Sequence, residues 1–88
     1  MKVLDKPKID RPREKLARYG TARLSDLELL MAIIGSGNAR ADVGKIAREV
    51  LKILRQKGGD VSYDDLRSVV GLGEAKISVI LASLELAR

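Results

Sequence analysis

The stretch Val69-Val70-Gly71-Leu72-Gly73-Glu74-Ala75-Lys76 decides the fold, because it has the form apolar-Gly-apolar-Gly between two predicted helices. A short helix is predicted over residues 62–69, and an uninterrupted apolar helix over residues 77–87. Glycine has no Cβ, so Gly71 and Gly73 are predicted to adopt positive φ and reverse the chain within a few residues. Helix, glycine hairpin, helix is the layout of a helix-hairpin-helix module.

Such a hairpin is a candidate anion site. Backbone N–H groups in the turn, at the start of the next helix, point outward and attract an anion. The usual anion for these modules is a DNA phosphate, so the candidate DNA-binding residues are Gly71, Gly73 and Lys76. Charge weighs against them: residues 60–88 hold five acidic and three basic residues, whereas phosphate binding is driven by positive charge. Lys76 is the only cation expected beside the turn, and Glu74 would repel a phosphate. A tight turn without a ligand is the alternative.

Composition restricts the classes of protein to consider. The chain has 88 residues, 45% of them hydrophobic, with no Phe and no Trp. A core of Leu, Ile, Val and Ala suits packed helices in one small domain. There is no Cys, no apolar run long enough to span a membrane and no signal-peptide pattern. We therefore expect a cytoplasmic protein without a membrane partner.

The absence of both His and Cys restricts the chemistry. Zinc sites draw on these residues, and so do Ser-His and Cys-His nucleophile pairs. Asp64 and Asp65 are expected to stabilise a helix start rather than hold Mg²⁺. A lyase that uses a lysine nucleophile is disfavoured, because so short a chain cannot enclose a flipped base. We expect no catalytic residue, no metal site and no cofactor, and hence no enzyme in this chain.

The net charge of +5 is concentrated at the N-terminus. Residues 1–23 hold eight basic and three acidic residues, whereas residues 24–88 are balanced. Residues 1–9 show little periodicity, so we expect a flexible basic leader before a helical domain over residues 10–88. A basic arm of this kind steers a protein towards nucleic acid or an acidic partner. A solvated leader without a partner is the alternative.

Capping residues predict where the first helices begin. Asp10 is expected to cap a helix over residues 11–18. Ser25 and Glu28 form a capping box before a second helix, which stops at Gly35. This second helix is apolar on nearly all sides, so we expect it to be central and buried.

The middle of the chain predicts a loop and a long amphipathic helix. Residues 35–40 are glycine-rich but lack the Gly-Lys-Ser/Thr ending of a nucleotide-binding loop, so we expect a connector. Asp42 caps the next helix, over residues 43–56. The face of this helix opposite its apolar stripe carries four basic residues and one acid: Lys45, Arg48, Lys52, Arg55 and Glu49. We expect a solvated face there, with a binding patch as the alternative.

The last third of the chain predicts two more helices. Ser62 and Asp65 form a second capping arrangement, and the final apolar helix is expected to pack on helices two, three and four. Tyr19 and Tyr63 are expected to be partly buried packing residues. The predicted core consists of Leu27, Leu30, Ile34, Ile46, Val50, Leu54, Leu66, Ile77, Leu81 and Leu84. The sequence thus predicts an all-α fold, a compact bundle of about five short helices ending in a helix-hairpin-helix at about residues 62–87.

Several segments together resemble one family. They are Arg11-Pro12-Arg13-Glu14-Lys15-Leu16, Leu24-Ser25-Asp26-Leu27-Glu28-Leu29-Leu30, the glycine-rich loop, the hairpin at residues 71–76 and Leu84-Glu85-Leu86-Ala87. This order is similar to the N-terminal region of the bacterial RadC family, named as DNA repair proteins. The likeness covers about residues 10–88.

The resemblance implies a helical domain followed by a JAB/MPN-type metalloprotease-like domain with a His-x-His and Asp zinc site. None of that zinc motif lies in this chain. The final apolar helix has no capping glycine and Leu86 is only two residues from the end, so we expect the chain to be the N-terminal piece of a longer protein. The family's hairpin glycines match Gly71 and Gly73, and its cation matches Lys76. Such hairpins often have proline after the second glycine, where this chain has Glu74.

Two functions stay open from the sequence. The leading one is a non-catalytic module that binds or targets the DNA backbone without reading sequence, through Gly71, Gly73 and Lys76 and aided by the basic arm. The other is a protein-interaction or structural module that orients a following domain of the same chain without binding DNA. The acidic surroundings of the hairpin favour the second.

Overall fold

The computed structural model describes residues 11–37 and 41–88, and every regular element in them is helical. The α-helices are α1 Pro12–Tyr19, α2 Asp26–Ile34, α3 Val43–Lys57, α4 Tyr63–Arg67 and α5 Glu74–Leu86, and two short 3-10 helices cover Thr21–Arg23 and Gly58–Asp60. The all-α prediction is confirmed. Arg11, not Asp10, occupies the N-cap of α1; Asp10 and the predicted leader lie outside the described residues.

Local capping chemistry fixes the starts of the middle helices. The Ser25 hydroxyl accepts a hydrogen bond from the Glu28 amide at 3.2 Å, and the Glu28 carboxylate accepts one from the Ser25 amide at 3.0 Å. Ser62 and Asp65 repeat this capping box at 3.2 and 2.9 Å. The Asp42 side chain caps α3. These predicted starts are confirmed, because they depend on contacts between residues three apart.

Polar contacts attach α1 to α2. Arg13 Nε donates to the carbonyl oxygen of Ala32 at 2.8 Å, and Lys15 Nζ lies 2.9 Å from the Glu28 carboxylate. A Cβ on Gly35 would collide with the Arg13 guanidinium. α1 buries none of its own residues, so these contacts, rather than apolar packing, hold it antiparallel to α2.

The core lies where α2, α3, α4 and α5 meet. α2 packs on α3, and α5 packs mainly on α4 and α2. The buried cluster comprises Leu30, Ile34, Ala41, Ile46, Ala47, Val50, Leu66, Val69, Leu72, Ile77 and Ile80. Six predicted core residues are therefore confirmed as buried: Leu30, Ile34, Ile46, Val50, Leu66 and Ile77.

Four other core predictions need correction. Leu27, Leu54 and Leu81 are half-buried and pack against the core from its edge, and Leu84 is 38% exposed. α5 has 13 residues whereas α4 has five, so α4 covers only part of a helix about 20 Å long. α2 buries only Leu30 and Ile34, so the prediction of a buried central helix is right for its position and wrong for its burial.

The two tyrosines were also expected to be more buried than they are. Tyr19 is 44% exposed and Tyr63 is 36% exposed. The guanidinium carbons of Arg18 and Arg23 lie 5.8 and 5.2 Å from the centre of the Tyr19 ring. Tyr19 is therefore partly covered by arginine side chains, with which it makes cation–π contacts at the surface.

Candidate nucleic-acid interface

The turn between α4 and α5 is anchored by two buried side chains. α4 ends at Arg67, two residues before the predicted end. The Val69 amide then bonds to the Leu66 carbonyl at 3.1 Å, and the Leu72 amide bonds to the Val69 carbonyl at 3.2 Å. Val69 and Leu72 are buried, whereas Val70 between them is 56% exposed. Alternate burial therefore fixes the turn on the core and leaves its tip at the surface.

Gly71 is required by the fold. Its φ is +90°, a conformation that residues with a side chain rarely adopt. A Cβ at this position would lie 3.0 Å from Ile46 Cδ1 and 3.1 Å from Ala41 Cβ. The predicted positive φ is confirmed here, and close packing on α3 is a second reason for glycine.

Gly73 differs from Gly71 in backbone conformation, in packing and in exposure. Its φ is −88° and its ψ is 169°, so the prediction of positive φ is wrong at this position. A Cβ built on Gly73 would meet no atom within 4 Å, and the residue is exposed. The fold would accept a side chain here. Gly73 is the N-cap of α5, which begins at Glu74, three residues before its predicted start.

The start of α5 lacks a side-chain cap. The first turn of any helix leaves N–H groups without an intrahelical acceptor. In α5 these belong to Glu74, Ala75 and Lys76, because the Ile77 amide is the first to bond back, to the Gly73 carbonyl at 3.1 Å. No acceptor for these amides occurs among the described residues.

The third residue of α5 differs from that of the two capping-box helices, α2 and α4. This position holds Glu28 in α2 and Asp65 in α4, each bonded to its N-cap amide. α5 has the half-buried Lys76 there. α3 also has a lysine at this position, Lys45, but its amide bonds to the Asp42 carboxylate at the N-cap. The positive end of the helix macrodipole favours an acid in the first turn and disfavours a cation. Lys76 is therefore unfavourable for the helix start and suitable for a bound anion, whereas Glu74 at the first position favours the helix start and repels an anion.

A second cation lies beside the turn. Residues 67–73, including Arg67 and Gly73, line a surface depression of about 300 Å³. Arg67 is exposed and its guanidinium lies 3.7 Å from the Asp64 carboxylate. The prediction that Lys76 is the only cation here is wrong. Arg67 was not predicted to be part of the site. It lies four residues before Gly71, and its position relative to the turn depends on where α4 ends.

Part of the predicted basic arm serves the fold. Arg13 and Lys15 are bonded to α2, and Arg18 and Arg23 lie over Tyr19. The described residues therefore leave fewer of these cations for a partner than the count of charges implies. In the same residues, no group of three or more potential metal ligands occurs. No helix among them combines the length and apolar character needed to cross a membrane.

The chain matches a known family over most of its length. The family model described as UPF0758 N-terminal matches residues 3–78. Proteins named UPF0758 protein are similar to the whole chain: that of Clostridium tetani is 39% identical over 90 residues, covering 100% of this chain and 40% of the relative. That of Methanospirillum hungatei is 38% identical over 86 residues, covering 98% of this chain and 38% of the relative.

The chain spans about 40% of the length of the relatives that it matches. A comparison with solved structures gave no significant match. The family assignment therefore rests on sequence, on a model match to most of the chain and on relatives at 38–39% identity. The chain belongs to the UPF0758 family, the RadC-like family, and corresponds to its N-terminal domain.

Proposed function

We propose that this domain is a non-catalytic helix-hairpin-helix module, at about residues 62–87, that binds the DNA backbone without reading sequence. A phosphate accepts hydrogen bonds from the first-turn amides of α5, next to Gly73, and forms an ion pair with Lys76. Gly71 sets the turn, and Arg67 adds a second charge. The observation that carries this proposal is the start of α5, where an uncapped N-terminus behind an exposed glycine has a cation at its third position.

A bound phosphate compensates for two unfavourable features of that helix start, the amides without acceptors and the lysine in the first turn. Its oxygens supply the acceptors that the amides of Glu74, Ala75 and Lys76 lack. Its charge offsets the repulsion between Lys76 and the positive end of the helix macrodipole. Gly73 has open space around its α-carbon, so a phosphate can approach the backbone where a side chain would otherwise stand.

The same geometry sets the expected strength and specificity. Amides and lysines contact phosphates, which position a protein on DNA but carry no sequence information. One or two phosphate contacts give weak binding, with a slope of log K against log salt of about −1 to −2 from this element. Glu74 weakens it further. We expect the basic arm over residues 1–23 to add to the affinity.

Gly73→Ser is the sharpest test of this proposal. Gly73 already has the extended backbone of Ser25 and Ser62, the N-caps of α2 and α4. A serine there supplies an internal acceptor for the Lys76 amide, so it stabilises the fold by a few tenths of a kcal/mol, roughly the margin of serine over glycine at an N-cap. The same hydroxyl competes with phosphate. We expect DNA affinity to fall while the melting temperature holds or rises.

The measurement is the fluorescence anisotropy of two labelled duplexes of unrelated sequence, titrated at several salt concentrations. Gly59→Ser is the matched control, since Gly59 is exposed and also has nothing within 4 Å of its missing Cβ. Equal binding of both duplexes, weakened by Gly73→Ser and unchanged by Gly59→Ser, supports the proposal. Unchanged binding by Gly73→Ser, or no binding by the natural chain, overturns it.

The longer relatives extend this proposal to a whole protein. We propose that the module targets a following JAB/MPN-type domain to DNA in the cytoplasm, in keeping with the DNA repair name of the RadC family. The chemistry then belongs to the following domain, and the module contributes location. This role predicts that full-length relatives bind DNA through their N-terminal domain alone.

A second candidate function, docking and orienting a following domain, is favoured by the outer face of α5. Val79 is 45% exposed and Leu86 is 90% exposed, and their spacing of seven places both on one side of the helix. In a full-length relative, serine at both corresponding positions should loosen the contact between domains without changing DNA affinity. An unchanged proteolysis pattern between the domains would contradict docking through this face.

A further inference from the structure

The outer face of α3 carries a line of four cations. Lys45, Arg48, Lys52 and Arg55 are all exposed, and their spacing of three, four and three residues places them on one stripe of the helix. The line extends over about 15 Å, at about 1.5 Å per residue. We call these four residues the α3 cation stripe.

No member of the stripe has an ion-pair partner in the described part of the chain. The ion pairs found there use other cations: Lys15, Lys57, Arg67 and Arg88. Glu49 is the acid on this side of α3. Like charges three or four residues apart on a helix repel each other, whereas a face that stabilises a helix mixes the two signs. Glu49 offsets part of this repulsion, because it lies four residues after Lys45 and three before Lys52, and Arg55 suits the last turn of α3. The face still carries four cations against one acid, a surplus of +3.

The stripe begins beside the turn between α4 and α5. Lys45, Glu49 and Ile53 of α3 line a depression of about 300 Å³ together with residues 68–70 of the turn. Lys45 is therefore the member of the stripe that shares a depression with the turn. This depression and the one lined by residues 67–73 have residues 68–70 in common, so the two lie side by side on the turn.

The charge pattern identifies the kind of ligand. A regular line of unpaired cations complements a regular line of anions, and each DNA strand carries one phosphate per about 3.4 Å of helix axis. A straight stripe about 15 Å long can thus contact more than one phosphate of a strand before the strand winds away. Lysine and arginine contacts to phosphate add affinity without sequence preference.

We propose that the α3 cation stripe is a second DNA-backbone surface, which holds the strand beyond the phosphate bound at the start of α5. This inference rests on the proposed function, since it assumes that DNA is the ligand. The stripe also compensates for the acidic surroundings of the hairpin. The acidic residues around the turn leave it a weak site, and the stripe supplies the positive charge from a neighbouring helix.

The test removes two stripe charges and compares the salt dependence of DNA binding by the full chain. Arg48→Gln with Lys52→Gln takes away two exposed cations, and the slope should become shallower by about 2. The matched control is Lys57→Gln with Arg88→Gln, which removes the same net charge from cations already paired with Asp65 and Glu85. The control should change the slope by less than half as much.

Two further arms separate this inference from the proposed function. If Lys76→Gln weakens binding while the stripe variant matches its control, the stripe inference is overturned and the hairpin proposal stands. If the stripe variant loses binding while Lys76→Gln does not, the stripe is supported and the hairpin proposal fails. No salt-dependent DNA binding by the natural chain overturns both. A stripe variant that loses affinity for polyglutamate but not for DNA shows an acidic protein surface as the partner, which also overturns the inference.

Discussion

Gly71 packs so closely on Ile46 that a Cβ at position 71 would lie 3.0 Å from Ile46 Cδ1. Ile46 is fully buried in α3, so this contact seats the turn between α4 and α5 directly on the core. The turn is thus held in place before any ligand arrives. Two residues later the chain is exposed at Gly73. The two glycines therefore have separate tasks, one for folding and one, in our proposal, for binding.

This division predicts unequal effects of alanine at two glycines. Gly20 and Gly71 have similar φ, +80° and +90°, but a Cβ at Gly20 meets nothing within 4 Å. Gly20→Ala should cost roughly 1–3 kcal/mol from backbone strain alone, because φ +80° with ψ 178° is a region almost confined to glycine. Gly71→Ala should cost roughly 1–3 kcal/mol more from overpacking against Ile46. Urea denaturation of both variants measures the difference, and equal costs would show that α3 yields without strain.

Glu74 should limit DNA affinity. Glu74→Gln removes the charge, and Glu74→Pro also suits the first position of α5, because proline is favoured there and Gly73 has the extended backbone that precedes proline. Both should tighten binding by about two- to fivefold, since a charge at a helix end contributes roughly 0.3–1 kcal/mol. Glu85→Gln, near the other end of α5, is the control. Equal tightening by all three would indicate an effect of net charge alone.

Packing in α5 should separate two neighbouring residues. Ile80 is 1% exposed, whereas Leu81 packs against the core only from its edge. Ile80→Ala should lower the free energy of unfolding by roughly 2–5 kcal/mol through lost burial and a cavity. Leu81→Ala should cost clearly less, as measured by chemical denaturation. A larger loss at Leu81 would mean that α5 is rotated relative to the core described above.

Glu28 should make stability depend on acid pH. The hydrogen bond from the Ser25 amide, and then the one from Lys15, hold the Glu28 pKa below its ordinary value of 4.5. A lowered pKa means that the stabilisation is complete above about pH 4.5 and is lost as pH falls through the folded-state pKa. Glu28→Gln should therefore be less stable at neutral pH and show a shallower loss on acidification. Glu14→Gln, on exposed α1, is the control, and parallel pH profiles for Glu28→Gln and the natural chain would contradict this role.

The sequence predicted the elements whose cause is local. Ser25, Asp42 and Ser62 mark helix starts correctly because each side chain bonds to an amide three residues later. The start of α5 was misplaced by three residues because Gly73 offers no capping side chain to recognise. Leu84 was expected to be buried because it recurs at helical spacing with other apolar residues of α5. That spacing does not show how far a neighbouring helix extends.

The sequence predicted only part of the candidate site, because the rest depends on contacts between residues far apart in the chain. Gly71 and Gly73 look alike in the sequence, yet its positive φ and its contact with Ile46 make Gly71 the glycine that the fold needs. Arg67 joins Gly73 in one depression through the turn. Lys45 meets residues 68–70 through the packing of α3 beside the turn. Both placements depend on tertiary structure that no local pattern contains.

The most direct test of phosphate binding at α5 is an NMR titration of the labelled chain with a short DNA duplex, followed amide by amide. We predict that the amides of Gly73, Glu74, Ala75 and Lys76 show shifts among the largest in the domain, and that these shifts are lost in Gly73→Ser. Saturating DNA that leaves these four amides unchanged, while signals elsewhere move, would contradict phosphate binding at the start of α5.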